Sequence, residues 1–344
     1  VLLDSTDDAW LGPPRPGLAI GFGLVDEERL GRALDLLADV LRRVQPSPWI
    51  RTSVVAEMAS RYAELLSETD LNVLGRVSGR RPDGDGASWF RAEPARIASA
   101  LDERATFAGL FEGGDADPLE QVTPLLVFAV IVHRGACEIG EHTHVPERFG
   151  SRLVVPVFDG ERLARLTAEP ATRLFLIELL GSYTRVLSGP RWERSRGRWR
   201  RRRFSEMNPG QLTQLAAGLP FDERAGAYRR LGDLALFLNG VFPDSAARRT
   251  LSPIDLDRLL RSLPERHRVE PLRLLRSDRV DGTGPVLAAL GPVWYRLAAE
   301  LVPIPPMSAQ LSYMADRFDP ARRFLNFVTD RYIWKRRDRL FPGS

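Results

Sequence analysis

Apolar residues return every three or four positions along most of the chain, and that period predicts helices separated by polar or Pro-containing breaks. Asp26 stands at an N-cap position before Leu30, Leu34, Leu37, Val40 and Leu41, which predicts a helix to Val44, stopped by Pro46 and Pro48. Thr52 to Leu66 places Val55, Met58, Ala59, Tyr62 and Leu66 on one face, and Ala95 to Leu101 predicts a short helix. Pro124 to Glu141 is apolar all round, as a buried helix or a buried strand would be. The length from Leu119 to Glu141 favours helix, with Pro124 in its first turn. Ala171 to Leu187 reads as a second buried helix.

Helical spacing resumes at Asn208, a cap followed by Pro209 at the first helical position, and continues from Gly210 to Ala217. Further helices are predicted from Asp222 to Asn239-Gly240, from Ser252-Pro253 to Leu263, from Gly284 to Leu301 and from Met307 to Trp334. Pro303, Pro305 and Pro306 link the last two. Trp294, Tyr295, Phe318, Phe324 and Phe327 fall at core spacing. Asp233, inside an apolar run, needs a partner such as Arg229 or Arg230.

The pattern lapses in four places. Residues 1–25 form a Pro/Gly-rich arm whose Gly21-Phe22-Gly23 lacks the third glycine of a phosphate loop. Gly75 to Ser88 reads as a polar loop, Glu112 to Pro118 as a turn, and Leu153 to Val157 as a strand or extended connection. The fifth interruption is of a different kind. Between Gly189-Pro190 and Asn208-Pro209, the stretch from Arg191 to Arg203 has eight arginines and one glutamate, and Trp192 and Trp199 flank Arg196-Gly197. Aromatic residues about a glycine turn predict a two-stranded hairpin. The fold class expected is mainly α, a multi-helix bundle with a small inserted β-hairpin. Its parts are an N-terminal arm (1–25), an N-terminal helical region (26–188), the Arg-rich hairpin (189–207) and a C-terminal helical region (208–344).

Composition adds limits. The 344 residues are 44% hydrophobic and 27% charged, ordinary for a globular chain. Lys335 is the sole lysine, so the basic character is arginine, which binds phosphate and carboxylate through planar bidentate forks; codon preference in a GC-rich genome would give the same bias. Cys137 is the only cysteine, which excludes an internal disulfide or a multi-cysteine zinc site. The first residues show no basic leader followed by an apolar run, and the apolar run Leu125 to Val132 is too short to cross a bilayer. A soluble, cytoplasmic protein is expected.

Two stretches carry candidate chemistry. In the first, Arg191, Arg194, Arg196, Arg198, Arg200, Arg201, Arg202 and Arg203 give a local charge of +7 within a chain of net +4, more than a packed core absorbs. Such a cluster suits phosphates, because each one neutralised releases condensed counterions, and Trp192 or Trp199 can stack on unpaired bases. The expectation is a non-enzymatic binding or regulatory protein with nucleic acid as its anionic partner. An acidic protein surface, an anionic lipid surface, a docking hairpin of a structural or assembly protein, and pairing with the chain's own carboxylates are the alternatives. No helix-turn-helix signature or RNA-binding fingerprint accompanies the hairpin.

The second stretch runs from His133 to Glu147. On a helix His133, Cys137 and Glu141 would stack at i, i+4 and i+8, with His142 and His144 at its end. Thiolate and imidazole suit zinc, and Glu141 with His144 forms one Glu-x-x-His of the kind that di-iron bundles use twice, although a second copy is missing. The alternative expectation is therefore a metal-dependent enzyme or small-molecule site, with zinc or iron as its cofactor. In the bland reading His133 and Cys137 are core residues and His142-Thr143-His144 is a polar helix exit.

The runs Tyr228 to Pro243 (with Gly232-Asp233 and Leu236-Phe237), Trp294-Tyr295 to Ala298, and Phe318 to Phe327 resemble a set of uncharacterised bacterial helical proteins. The resemblance covers the C-terminal third and implies a helical fold without a known activity.

Overall fold

The computed structural model describes residues 54–81, 85–112, 118–149, 153–186, 188–195, 198–248, 251–269, 271–273 and 282–336. The arm at 1–25, the helix expected from Asp26 to Val44 and most of the turn expected from Glu112 to Pro118 lie outside them. The described chain is mainly α-helical, with two separate two-stranded antiparallel sheets. None of its helices is long and apolar enough to cross a membrane. It divides into two compact units, one formed by described residues up to Thr184 together with those from Asp319 onward, the other by Arg185–Phe318.

The first unit contains α1 (Val54–Leu65), α2 (Glu68–Val77), α3 (Gly86–Ala92), α4 (Ala95–Asp102), α5 (Arg104–Phe111), α6 (Pro124–Ile139), β1 (Val145–Phe149), β2 (Leu153–Val157), α7 (Gly160–Ala168) and α8 (Pro170–Ser182). α6 is its centre. Leu126, Val127, Ala129, Val130, Ile131, Val132 and Ile139 are buried around its circumference, which is why the sequence there shows no polar face. Pro124 occupies its first turn, where a missing N–H costs nothing. α4, α5, α7 and α8 pack against it.

α2 and α5 were not legible as helices. α2 is set by a capping box in which Ser67 Oγ accepts from the Asp70 amide and the Asp70 carboxylate accepts from the Ser67 amide. Asp70 is fully buried, and it also accepts from the Thr123 amide at 2.7 Å and hydroxyl at 2.8 Å, so one carboxylate fixes the starts of α2 and α6. The loop expected from Gly75 is accordingly shorter, since α2 runs on to Val77 and α3 begins at Gly86.

β1 and β2 form an antiparallel ribbon in which Val145 pairs with Val157 and Phe149 with Leu153. α7 starts beside it at Gly160, where a Cβ would lie 1.8 Å from the His142 carbonyl oxygen; only glycine fits that approach. The helix α15 (Phe318–Val328) belongs to this unit from Asp319 onward. Phe324 and Val328 fill the notch at Gly135 of α6. Arg322 and Arg323 meet the buried Glu147 of β1, and Arg323 also reaches Asp159 at 2.7 Å. A π-helical turn, Thr329–Ile333, interrupts the helix expected to run unbroken to Trp334.

The second unit carries the ribbon β3 (Ser188–Ser195) and β4 (Arg198–Ser205), followed by α9 (Pro209–Ala217), α10 (Arg224–Val241), α11 (Pro243–Arg248), α12 (Pro253–Arg261), α13 (Thr283–Leu301) and α14 (Pro305–Asp316). Asn208 caps α9 by accepting from the Gln211 amide at 3.1 Å, and Ser252 caps α12 in the same way through Asp255. α10 and α13 make the core. Gly232 lies against the Tyr295 ring, where a Cβ would come within 2.6 Å, and this lets the two helices approach closely. Trp294 and Tyr295 are fully buried, as their spacing predicts. Asp233, buried in the middle of α10, accepts from Tyr295 Oη at 2.8 Å and faces Arg229 at 3.8 Å; the other expected partner, Arg230, turns to Glu206.

Candidate functional site

The Arg-rich stretch forms the hairpin that its sequence predicts. β3 and β4 pair from Ser188↔Ser205 to Ser195↔Arg198; Arg196 and Gly197 lie outside the described residues. Strand alternation sorts the positions. Trp192 pairs with Arg201, Arg194 with Trp199, and Pro190 with Arg203, so these six share one face of the ribbon. Arg191 with Arg202, Glu193 with Arg200, and Ser195 with Arg198 share the other. The sequence alone fixes neither the register nor the fact that both tryptophans fall on a single face, each directly across from an arginine. The Arg201 side chain is exposed and makes no ion pair among the described residues.

The ribbon is tied down at its exit. Gln211 Oε1 accepts from the Ser205 amide at 2.7 Å, and the Asn208 amide returns to the Ser205 carbonyl at 3.0 Å. Glu206, immediately after β4, is buried and accepts from Arg230 of α10 at 3.0 Å, with 8% and 7% of the two side chains exposed. Of the two carboxylates between Arg191 and Glu206, one is thus engaged by the helical core. Glu193 lies within the ribbon itself, paired in register with Arg200.

The His133 to Glu147 stretch is dispersed rather than gathered. α6 ends at Ile139, with Gly140 as its cap, so Glu141 leaves the helix before it can stack on Cys137. Glu141 and His144 are exposed, and the His144 ring lies 5.6 Å from that of Phe158. His142 Nδ1 lies 2.9 Å from the Glu138 carbonyl, with its ring 5.6 Å from Phe327. Among the described residues no group of three or more His, Cys, Asp or Glu side chains is placed to hold a metal ion.

His133 and Cys137 do stay together, on a different set of partners. His133 is buried, with Nδ1 2.7 Å from Asp102 Oδ1 and Nε2 2.9 Å from Tyr62 Oη. The geometry is that of a neutral imidazole donating from Nδ1 to Asp102 and accepting at Nε2 from the phenol. Arg173 of α8 donates to the same Asp102 oxygen at 2.9 Å. Burial depresses the His133 pKa and outweighs the hydrogen bond to Asp102, so the ring is held neutral. At Asp102 burial acts upward, but the His133 hydrogen bond and the Arg173 charge prevail and lower its pKa. Burial and the neighbouring Asp102 raise the Cys137 thiol, whose Sγ lies 3.8 Å from that carboxylate, so it stays protonated and is a poor nucleophile or metal ligand. Tyr62 is readable from the sequence only as a core position. Asp102 and Arg173, distant from His133 in the chain, carry no signal there at all.

Neither a family model, nor a curated protein, nor a solved structure matches the chain.

Proposed function

We propose that the protein binds single-stranded nucleic acid through the Trp-bearing face of the β3–β4 ribbon and that its role is binding or regulation rather than catalysis. One observation carries this reading. The ribbon register sets Trp192 and Trp199 among Arg194, Arg201 and Arg203 on one face. Sequence-tolerant binding of single strands combines aromatic platforms for bases with cations for the backbone, and this face supplies both residue types at alternating positions.

Binding of a fluorescent oligothymidine to the full chain tests the reading by anisotropy at several salt concentrations. The expected result is affinity that falls steeply with salt and weakens when Arg200 to Arg203 are replaced by alanine. Salt-independent binding, or no binding to either DNA or RNA single strands, refutes it.

A further inference from the structure

The first unit holds a pocket of about 260 Å³ away from the His133 network. Three elements line it: Arg104, Phe107, Ala108 and Glu112 at and just beyond α5, Arg134 and Glu138 one turn apart on α6, and Arg331, Tyr332 and Lys335 from the segment after α15. The positions on α5 recur at i, i+3, i+4 and i+8, which puts them on one helix face. Phe107 and Tyr332 meet edge to face with ring centroids 5.2 Å apart, and the Arg134 guanidinium stands 6.0 Å from the Phe107 ring. The lining therefore joins an aromatic wall to a ring of cations.

The charges do not cancel. Four cations, Arg104, Arg134, Arg331 and Lys335, face two carboxylates, Glu112 and Glu138, for a formal excess of two positive charges. Glu138 is buried and held by both Arg134 and Arg331; burial acts to raise its pKa, but these partners and Tyr332 prevail and lower it, so it stays ionised. Arg104 and Lys335 are exposed at the pocket and have no ion-pair partner among the described residues. Lys335 is the only lysine of the chain.

We propose that this pocket binds a small organic phosphate monoester. A phosphate monoester carries close to two negative charges above its second pKa of about 6 and so matches the excess, whereas a monocarboxylate leaves one cation uncompensated. Guanidinium forks and an ammonium group are the usual partners of phosphate oxygens. The Phe107–Tyr332 wall accepts the organic part. The volume lies below the roughly 300–1,000 Å³ of sites for drug-sized ligands, so the ligand is smaller than those.

The site is independent of the ribbon, and the experiment keeps the two apart. Isothermal titration calorimetry is run on the full chain carrying the Arg200 to Arg203 alanine replacements, with phenyl phosphate, inorganic phosphate and succinate as probes. One phenyl phosphate per chain is expected, bound more tightly than inorganic phosphate or succinate. Arg104→Gln combined with Lys335→Gln weakens it by at least about tenfold, because two charge-assisted contacts are lost. Arg162→Gln with Arg165→Gln, on the exposed face of α7, removes the same charge and leaves binding unchanged. Both changed sites in each pair are at the surface, and circular dichroism verifies that each variant is folded. The proposal is overturned if phenyl phosphate does not bind, if the α7 pair weakens it as much as the Arg104/Lys335 pair does, or if succinate binds as tightly.

Discussion

If the Trp-bearing face of the ribbon meets the single strand, the two faces must contribute unequally even though the other face has more arginines. Replacing Arg194, Arg201 and Arg203 by alanine removes three cations from one face; replacing Arg191, Arg198, Arg200 and Arg202 removes four from the other. Each phosphate neutralised on a single strand contributes about −0.7 to the slope of log affinity against log salt, so three contacts give about −2.1. A fourfold rise in salt then costs about 20-fold in affinity through this face alone. Loss of either tryptophan removes a stacking platform worth roughly 1–3 kcal/mol per base, largely independent of salt. Anisotropy titrations of a labelled oligothymidine between about 50 and 200 mM salt separate the two effects. The three-arginine variant flattens the slope by about two units, and the tryptophan variants lower affinity without flattening it. The reasoning is refuted if the four-arginine variant flattens the slope more than the three-arginine variant, or if Trp192→Ala and Trp199→Ala bind like the parent.

Two further outcomes follow from buried groups. Arg230→Met takes from the buried Glu206 the guanidinium that donates to it at 3.0 Å, and urea denaturation is expected to show a loss of up to about 3–5 kcal/mol, part of it recovered when Glu206→Leu is added. His133 is held neutral in the folded chain while the unfolded chain takes up a proton below its ordinary pKa near 6.5. Stability is therefore full above that pH and declines as pH falls through it, by at most about 1.4 kcal/mol between pH 7.5 and 5.5; His133→Gln removes this dependence, and denaturation at the two pH values measures it.

Much of the fold was legible because its core helices bury nearly whole circumferences or clean stripes. α6 and α13 declare themselves through apolar runs, and α9 through Asn208-Pro209. α2 escaped notice because its start rests on Asp70, a carboxylate that reads as surface until Thr123 is brought beside it. The ribbon was visible in its composition, yet its useful property, the sorting of tryptophans onto one face, depends on register. The metal-capable stretch is spread out for a related reason. Spacing in the chain becomes spacing in space only while the helix lasts, and α6 stops at Ile139, two residues before Glu141. The pocket gave the weakest signal, since its cations come from three segments far apart in the chain and each alone looks like an ordinary exposed charge.

The return of α15 to the first unit has a consequence for how the chain is made. Glu147 and Asp159 acquire Arg322 and Arg323, Glu138 acquires Arg331, and the Gly135 notch receives Phe324 and Val328, all from residues synthesised more than 130 positions after α8 has left the ribosome. Until then Glu147 and Asp159 await these partners, Glu138 has Arg134 alone of its two arginines, and the notch stands open to water. The described residues from Arg185 to Asp316, by contrast, have all been made before α15 emerges. Among the described residues the unit begun first is therefore the one finished last, and its early helices have the most to gain from a chaperone during synthesis.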